Sequence, residues 1–267
     1  MREKIATMGN EPLFVGGMLS VTFRQLQAKE IIELTAKAGL QLIEWGSDVH
    51  VPPGESGVAR DTARMTAEAG LQVSGYASYY RVGDEPAGQF DRVLESALEL
   101  GAPSIRVWAG RLGSAQADEE VRGRTVEDAR RIAEQASAHG LTVDFEFHNN
   151  TLTDTVDSTV RLMEQIASPH VRSCWQAALD ETAEQRSEGL KRILPWLSTI
   201  HVFHLVARER LPLREGVDEW RGYLDIIRQL GQRRSVLLEF VRNNEPEQFM
   251  QDAAALNALL DSVNRSE

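Results

Sequence analysis

Residues 37–45 read Lys37-Ala-Gly-Leu-Gln-Leu-Ile-Glu-Trp45, a helical stretch that stops at Gly39 and passes at once into a short apolar run. The same phrase returns at Glu68-Ala-Gly-Leu-Gln-Val-Ser-Gly-Tyr76, Glu99-Leu-Gly-Ala-Pro-Ser-Ile-Arg-Val-Trp108, Ala138-His-Gly-Leu-Thr-Val-Asp-Phe-Glu-Phe147 and Gln229-Leu-Gly-Gln-Arg-Arg-Ser-Val-Leu-Leu-Glu-Phe240. Gly39, Gly70 and Gly101 fall 31 residues apart, each where a helix end calls for a left-handed residue that a side chain would strain. Between the stops the spacing is helical: Val126, Ala129, Ile132, Ala133 and Ala136 trace one face of the segment 118–139. Strands are expected near 14–20, 40–45, 71–76, 104–108, 142–147, 170–176, 199–204 and 236–241, and helices near 27–38, 58–69, 89–100, 118–139, 155–167, 183–194, 217–230 and 246–262. A unit of about 31 residues, repeated eight times, is the economy of parallel strands joined by right-handed helical crossovers. It predicts the α/β class and a single (β/α)8 TIM barrel, with residues 1–267 forming one domain. An open doubly wound sheet would need a glycine-rich turn after an early strand, whereas Phe14-Val-Gly-Gly-Met-Leu-Ser20 keeps its glycines inside the strand.

Composition agrees with a folded chain, at 42% hydrophobic and 26% charged residues, both near the averages for globular proteins. The 29 Lys and Arg against 40 Asp and Glu leave a net charge of -11, which repels phosphate backbones and anionic headgroups. Neither a nucleic acid nor a membrane is therefore expected as a partner. No run approaches the roughly 18 apolar residues of a spanning helix, and the opening residues lack the apolar core of a signal peptide. With Cys174 as its one cysteine the chain cannot close an internal disulfide, so a cytoplasmic location is the expectation, with Cys174 as a small buried strand residue. The loops 46–57 and 205–216 are long enough to pack on a second subunit, so a homodimer stays open.

In such a barrel the reactive groups gather where strands end. Those ends are Glu44-Trp45, Tyr76, Trp108, Glu146-Phe-His148, Trp175-Gln176, His201-Val-Phe-His204 and Glu239-Phe240. Strand alternation puts Asp144, Glu146 and His148 on one face and Val143, Phe145 and Phe147 on the other. Glu239 is likewise a lone charge in Val236-Leu-Leu-Glu-Phe240, and burying it without a partner would cost several kcal/mol. A divalent cation held with His204 and a further oxygen ligand would neutralise both carboxylates. His201 is out of phase with His204, which assigns it to a helix-facing or rim position. Tyr79, Tyr80, Trp108 and Trp175 are candidate walls against a sugar ring, and Arg208, Arg210 and Arg214 follow the seventh strand, where they could grip an anionic group.

The phrases Leu42-Ile-Glu-Trp-Gly46, Glu146-Phe-His-Asn-Asn-Thr-Leu-Thr-Asp-Thr155, His201-Val-Phe-His204 and Leu237-Leu-Glu-Phe240 resemble the sugar phosphate isomerase/epimerase family, which has the xylose isomerase-like barrel fold. The resemblance implies a divalent metal, Mn or Mg and sometimes Zn or Co, with Glu146, His204 and Glu239 as ligands. The family usually has Asp at the fourth ligand position, on the sixth strand; this chain has Gln176 there, with Asp180 as the nearest carboxylate. An amide oxygen can coordinate a hard cation, with one negative charge fewer. The implied activity is isomerisation or epimerisation of a small keto-sugar or related hydroxy-carbonyl compound. A metal-stabilised enediolate forms as one of Glu146 and Glu239 takes a carbon-bound proton and the other returns it. His148, Trp108, Trp175, Tyr80 and Arg210 are then the expected substrate contacts. The loop Val241-Arg-Asn-Asn-Glu-Pro246 has no glycine to bring backbone amides onto a phosphate, which favours an unphosphorylated sugar or polyol. Two alternatives stay open: a dehydratase of an inosose-type polyol using the same site, and a non-catalytic sugar-binding barrel, kept in play by Gln176. Apurinic-site endonucleases share the fold but need more metal ligands and a cationic surface than six His and a charge of -11 supply.

Overall fold

The alternation of apolar runs and amphipathic stretches folds into a closed barrel, described by a computed structural model over residues 12–178 and 181–265. Its parallel strands are β1 (Phe14–Leu19), β2 (Leu42–Gly46), β3 (Gln72–Arg81), β4 (Ser104–Trp108), β5 (Thr142–Glu146), β6 (Val171–Gln176), β7 (Leu197–Val202) and β10 (Arg234–Leu238). They pair in chain order, and β10 closes the ring on β1. Between β7 and β10 the chain makes a small antiparallel hairpin, β8 (His204–Val206) with β9 (Glu209–Leu211). The helices are α1 (Ala28–Lys37), α2 (Ser56–Glu68), α3 (Ala87–Leu100), α4 (Glu119–Ser137), α5 (Val156–Ile166), α6 (Ala183–Ile193), α7 (Val217–Arg228) and α8 (Pro246–Arg265). The chain is thus a single (β/α)8 TIM barrel. Among the described residues no helix is long and apolar enough to cross a membrane.

The helices start and stop where local chemistry directs. Asp118 caps α4 by accepting from the Val121 amide, Thr182 and Gln185 form a reciprocal capping box on α6, and Gly101 ends α3 at φ 68°. Their apolar stripes pack on the outer face of the barrel, where Ile31, Phe90, Ile132, Leu162, Leu224 and Phe249 are fully buried. Each such side chain contributes about 1.5–3 kcal/mol of burial. Inside the ring a second, smaller apolar cluster, Val15, Leu19, Val21, Leu42 and Leu237, fills the side formed by β1, β2 and β10. Gly17 makes room for it, since a Cβ there would stand 2.5 Å from Leu42 Cβ and 2.7 Å from Leu237 Cδ2. The rest of the interior is polar, and it rises towards the ends of β4, β5, β7 and β10.

One boundary matters for the site. The seventh strand spans 197–202, two residues earlier than the sequence pattern suggested, so Phe203 leaves the barrel and His204 belongs to the hairpin.

Candidate active site at the barrel mouth

Five buried side chains converge where the strands end. Glu44 comes from β2, Arg106 from β4, Glu146 from β5, His201 from β7, and Glu239 directly follows β10. Arg106 lies between two carboxylates, with Nε 2.9 Å from Glu44 Oε1 and Nη1 against Glu146 Oε2. The Trp108 indole nitrogen donates to that same Glu146 oxygen. His201 Nδ1 faces Glu239 Oε2 at 3.3 Å and Glu146 Oε1 at 3.8 Å, while Nε2 faces Glu44 Oε2 at 3.5 Å and Cys174 Sγ at 3.2 Å.

Charge and burial oppose one another here. Burial alone would raise the Glu44 and Glu239 carboxyls; His201 and Arg106 outweigh it and hold both below their ordinary values. Burial would likewise lower the His201 imidazole, but Cys174 and Glu239 beside it raise it well above the ordinary histidine value. Cys174 is fully enclosed, and burial pushes its thiol up to about 12, so it stays a neutral packing group.

The cluster fits a divalent cation. One nitrogen of His201 and one oxygen each of Glu146 and Glu239 lie within 4.8 Å of one another. An imidazole with two carboxylates is a donor set that suits Mn, Zn or a similar ion. With His201 neutral, three carboxylates against one guanidinium leave an excess of two negative charges, which one divalent cation would cancel.

Above the cluster opens a cavity of about 340 Å³, within the range of small-ligand sites. Its walls include Tyr79, Trp108, His148 and Phe240. Trp108 stacks on His148 at 4.4 Å and meets Tyr79 at 5.1 Å in a T-shaped contact. The His148 Nδ1 lies 2.7 Å from the Asn149 carbonyl, an arrangement that places its proton on Nδ1 and leaves Nε2 as the free ring nitrogen. Gln176 also lines the cavity; its Nε2 donates to the Phe147 carbonyl at 2.5 Å, which leaves its oxygen as the atom that could ligate a cation.

Glu146, Glu239, Gln176, Trp108, His148 and Arg210 are therefore brought together, and three expected residues are not. His204 stands apart from the two glutamates, and His201 takes the place beside them that was expected of it. The His204 ring rests on Gly216, where a Cβ would stand 2.8 Å from its Cγ, because β7 ends before the position from which inward alternation was counted. Trp175 is corrected to a core residue: Cys174 and Gln176 point inward, so Trp175 points outward, 2% exposed, against Trp220 at 5.9 Å and Tyr223 at 5.2 Å. Tyr80 is corrected likewise; its ring packs on Phe90 and its hydroxyl bonds Asp128 at 3.0 Å, which leaves the cavity wall to Tyr79. Asp180 lies outside the described residues. Arg106 and the Glu44 end of its ion pair were missed, although the signal that singled out Glu146 was present: Arg106 is a lone charge in Ile105-Arg-Val107.

The model of the family described as the xylose isomerase-like TIM barrel matches residues 32–259. A 3-dehydroshikimate dehydratase of Bacillus anthracis is 22% identical over 215 residues, covering 74% of each chain. A crystal structure of the probable 3-DHS dehydratase involved in petrobactin synthesis in Bacillus anthracis superposes with a TM-score of 0.78 at 19% identity, over 91% of this chain and 98% of that one. A D-allulose 3-epimerase of Methylomonas sp. superposes with a TM-score of 0.73 at 13% identity, over 95% and 99%.

Proposed function

The chain belongs to the xylose isomerase-like TIM barrel family, and on that footing we propose that it is an enzyme moving a carbon-bound proton in a small hydroxy-carbonyl compound, as an isomerase or epimerase of a keto-sugar or related polyol derivative. The observation that carries the reading is the pair Glu146 and Glu239, set on either side of His201 Nδ1 at the floor of an aromatic-walled cavity. Glu146, His201 and Glu239 would hold a divalent cation, Mn or Mg first, with the Gln176 oxygen as a further donor. When bound, the cation supplies Lewis-acid stabilisation of substrate oxygens that gain negative charge as the proton leaves.

The chain's own groups divide the remaining work. Arg106 and Trp108 both occupy Glu146 Oε2, which fixes that carboxylate and leaves Oε1 turned towards His201. Glu239 has neither the Arg106 nor the Trp108 contact that fixes Glu146, so it is the freer carboxylate and takes the proton. In an isomerisation Glu239 returns that proton to the neighbouring carbon; in an epimerisation the opposite face takes a proton from solvent by way of Glu146 while Glu239 gives its own up to solvent. Trp108, Tyr79 and Phe240 shield the apolar side of the substrate from water, and the free His148 Nε2 binds a substrate hydroxyl.

The test is solvent exchange. With Mn supplied in heavy water, a panel of ketoses, inososes and hydroxypyruvate is followed by NMR for deuterium entering carbon. One or more should exchange, and Glu239→Gln should slow that exchange by about 10²–10⁴-fold. No exchange in any of them would sink the reading. Likeness to the 3-dehydroshikimate dehydratase favours a second outcome of the same proton abstraction, expulsion of a β-hydroxyl. An unsaturated product together with loss of water would identify it.

A further inference from the structure

The cavity carries a feature that proton transfer leaves unused. Phe240, immediately after Glu239, has φ 60°, a left-handed conformation costly for a bulky residue, and its amide is held by Thr22 Oγ1 at 3.1 Å. That backbone sets its ring in the cavity wall beside two arginines. The Arg210 guanidinium carbon stands 4.3 Å from the ring centroid and that of Arg24 stands 6.0 Å away. Arg24 is paired with Asp48 and donates to the Tyr79 hydroxyl at 2.7 Å. Arg210 is half-buried and donates to Asn244 Oδ1 at 3.0 Å; among the described residues no carboxylate lies within ion-pairing reach of it. Burial, together with the charge of Arg24, works against the Arg210 cation, and only Glu239 nearby favours it. Two cations gathered on one strained phenylalanine, on a chain of net charge -11, form an arrangement that a bound anion would relieve.

We infer that Arg24 and Arg210 form an anion subsite at the cavity mouth that takes a carboxylate of the substrate, so that the compound processed is a hydroxy-carbonyl acid rather than a neutral sugar. The inference rests on the proton-transfer reading for the reacting end of the molecule, and adds the group at its other end. Charge favours a carboxylate over a phosphoryl group: with Asp48 paired to Arg24 and Glu239 near Arg210, the two guanidiniums offer at most one positive charge, too little for a dianion. The loop after β10 also offers no glycine nest for a phosphate.

Binding without turnover tests it. Isothermal titration of the protein in metal-free buffer compares 2-keto-D-gluconate, D-fructose and D-fructose 6-phosphate, which share a ketose skeleton and differ in the charged group. The keto-acid should bind about tenfold or more tightly than D-fructose; Arg210→Gln should abolish that preference and Arg210→Lys should keep part of it. Equal binding of all three, failure of the keto-acid to bind, or an Arg210→Gln variant that keeps the preference would overturn the subsite. Tighter binding of the phosphate ester would overturn the carboxylate assignment. Failure of the proton-transfer reading has a different signature, a keto-acid that binds through Arg210 yet exchanges no deuterium when metal is supplied.

Discussion

Arg106 holds the centre of the molecule together while taking no proton itself. Its side chain is 5% exposed and pairs with two carboxylates of which each is 4% exposed or less. Removing one member of a buried ion pair strands its partners, so Arg106→Leu in metal-free buffer should lose about 3–5 kcal/mol in urea unfolding, far more than its contacts alone would suggest. Adding Glu44→Gln to that variant should recover part of the loss, because one stranded charge is then gone; no recovery would mean that Glu44 and Arg106 are not coupled. Legibility in the sequence follows from how each charge is displayed. Glu146 and Glu239 stand alone in apolar strands, and a lone buried charge demands a partner. Arg106 obeys the same rule inside β4, yet a cation answers carboxylates instead of adding to a ligand set, so a search for ligands passes over it. His201 could not be assigned from parity without knowing where β7 ends.

Elements carry the site only as accurately as their ends are fixed. Helix boundaries were readable from glycine stops and apolar spacing, and α3, α4 and α6 lie within two residues of expectation, with Asp118 and Thr182 capping the starts of α4 and α6. The β8–β9 hairpin has no such marker; its existence depends on packing with distant parts of the chain. Part of that packing is Asp252 of α8, which accepts the Leu213 amide at 2.8 Å and Gln248 Nε2 at 2.8 Å, and so anchors the turn that follows the Arg210 strand. Burial raises the Asp252 carboxyl above its ordinary value, only partly offset by those donors. A raised aspartate contributes most below its unfolded pKa of about 3.9, and its contribution is lost as pH rises through the higher folded value. Asp252→Asn keeps an oxygen acceptor and removes the charge. It should therefore raise Tm at pH 7, with the gain shrinking towards zero as the pH of the melt approaches 3; a gain that grows on acidification would contradict this sign.

At the scale of the whole molecule, a barrel must join its first strand to its last, and no local pattern can specify that joint. β1 meets β10 in parallel from Phe14↔Arg234 to Met18↔Leu238. The lower end of the seam is closed by a side chain 250 residues away: Asn264, in the last turn of α8, accepts from the Phe14 amide at 3.0 Å and donates to the Phe14 carbonyl at 2.9 Å, acting as one residue of a missing strand. Asn257, two turns earlier, donates to the Ala38 carbonyl at 3.0 Å and ties the same helix to the end of α1. The repeat of helix stop and strand start was enough to foresee eight units, because each unit is local; the seam was not, because an asparagine near a helix end reads as an ordinary surface or cap residue. Two hydrogen bonds to partly buried backbone groups are at stake, so Asn264→Ala should cost about 1–3 kcal/mol. The loss should be concentrated where the chain ends meet. Amide hydrogen exchange at Phe14 and Val15 should accelerate by more than at β4 or β5, whereas uniform acceleration around the ring would show that the seam opens only with the whole barrel.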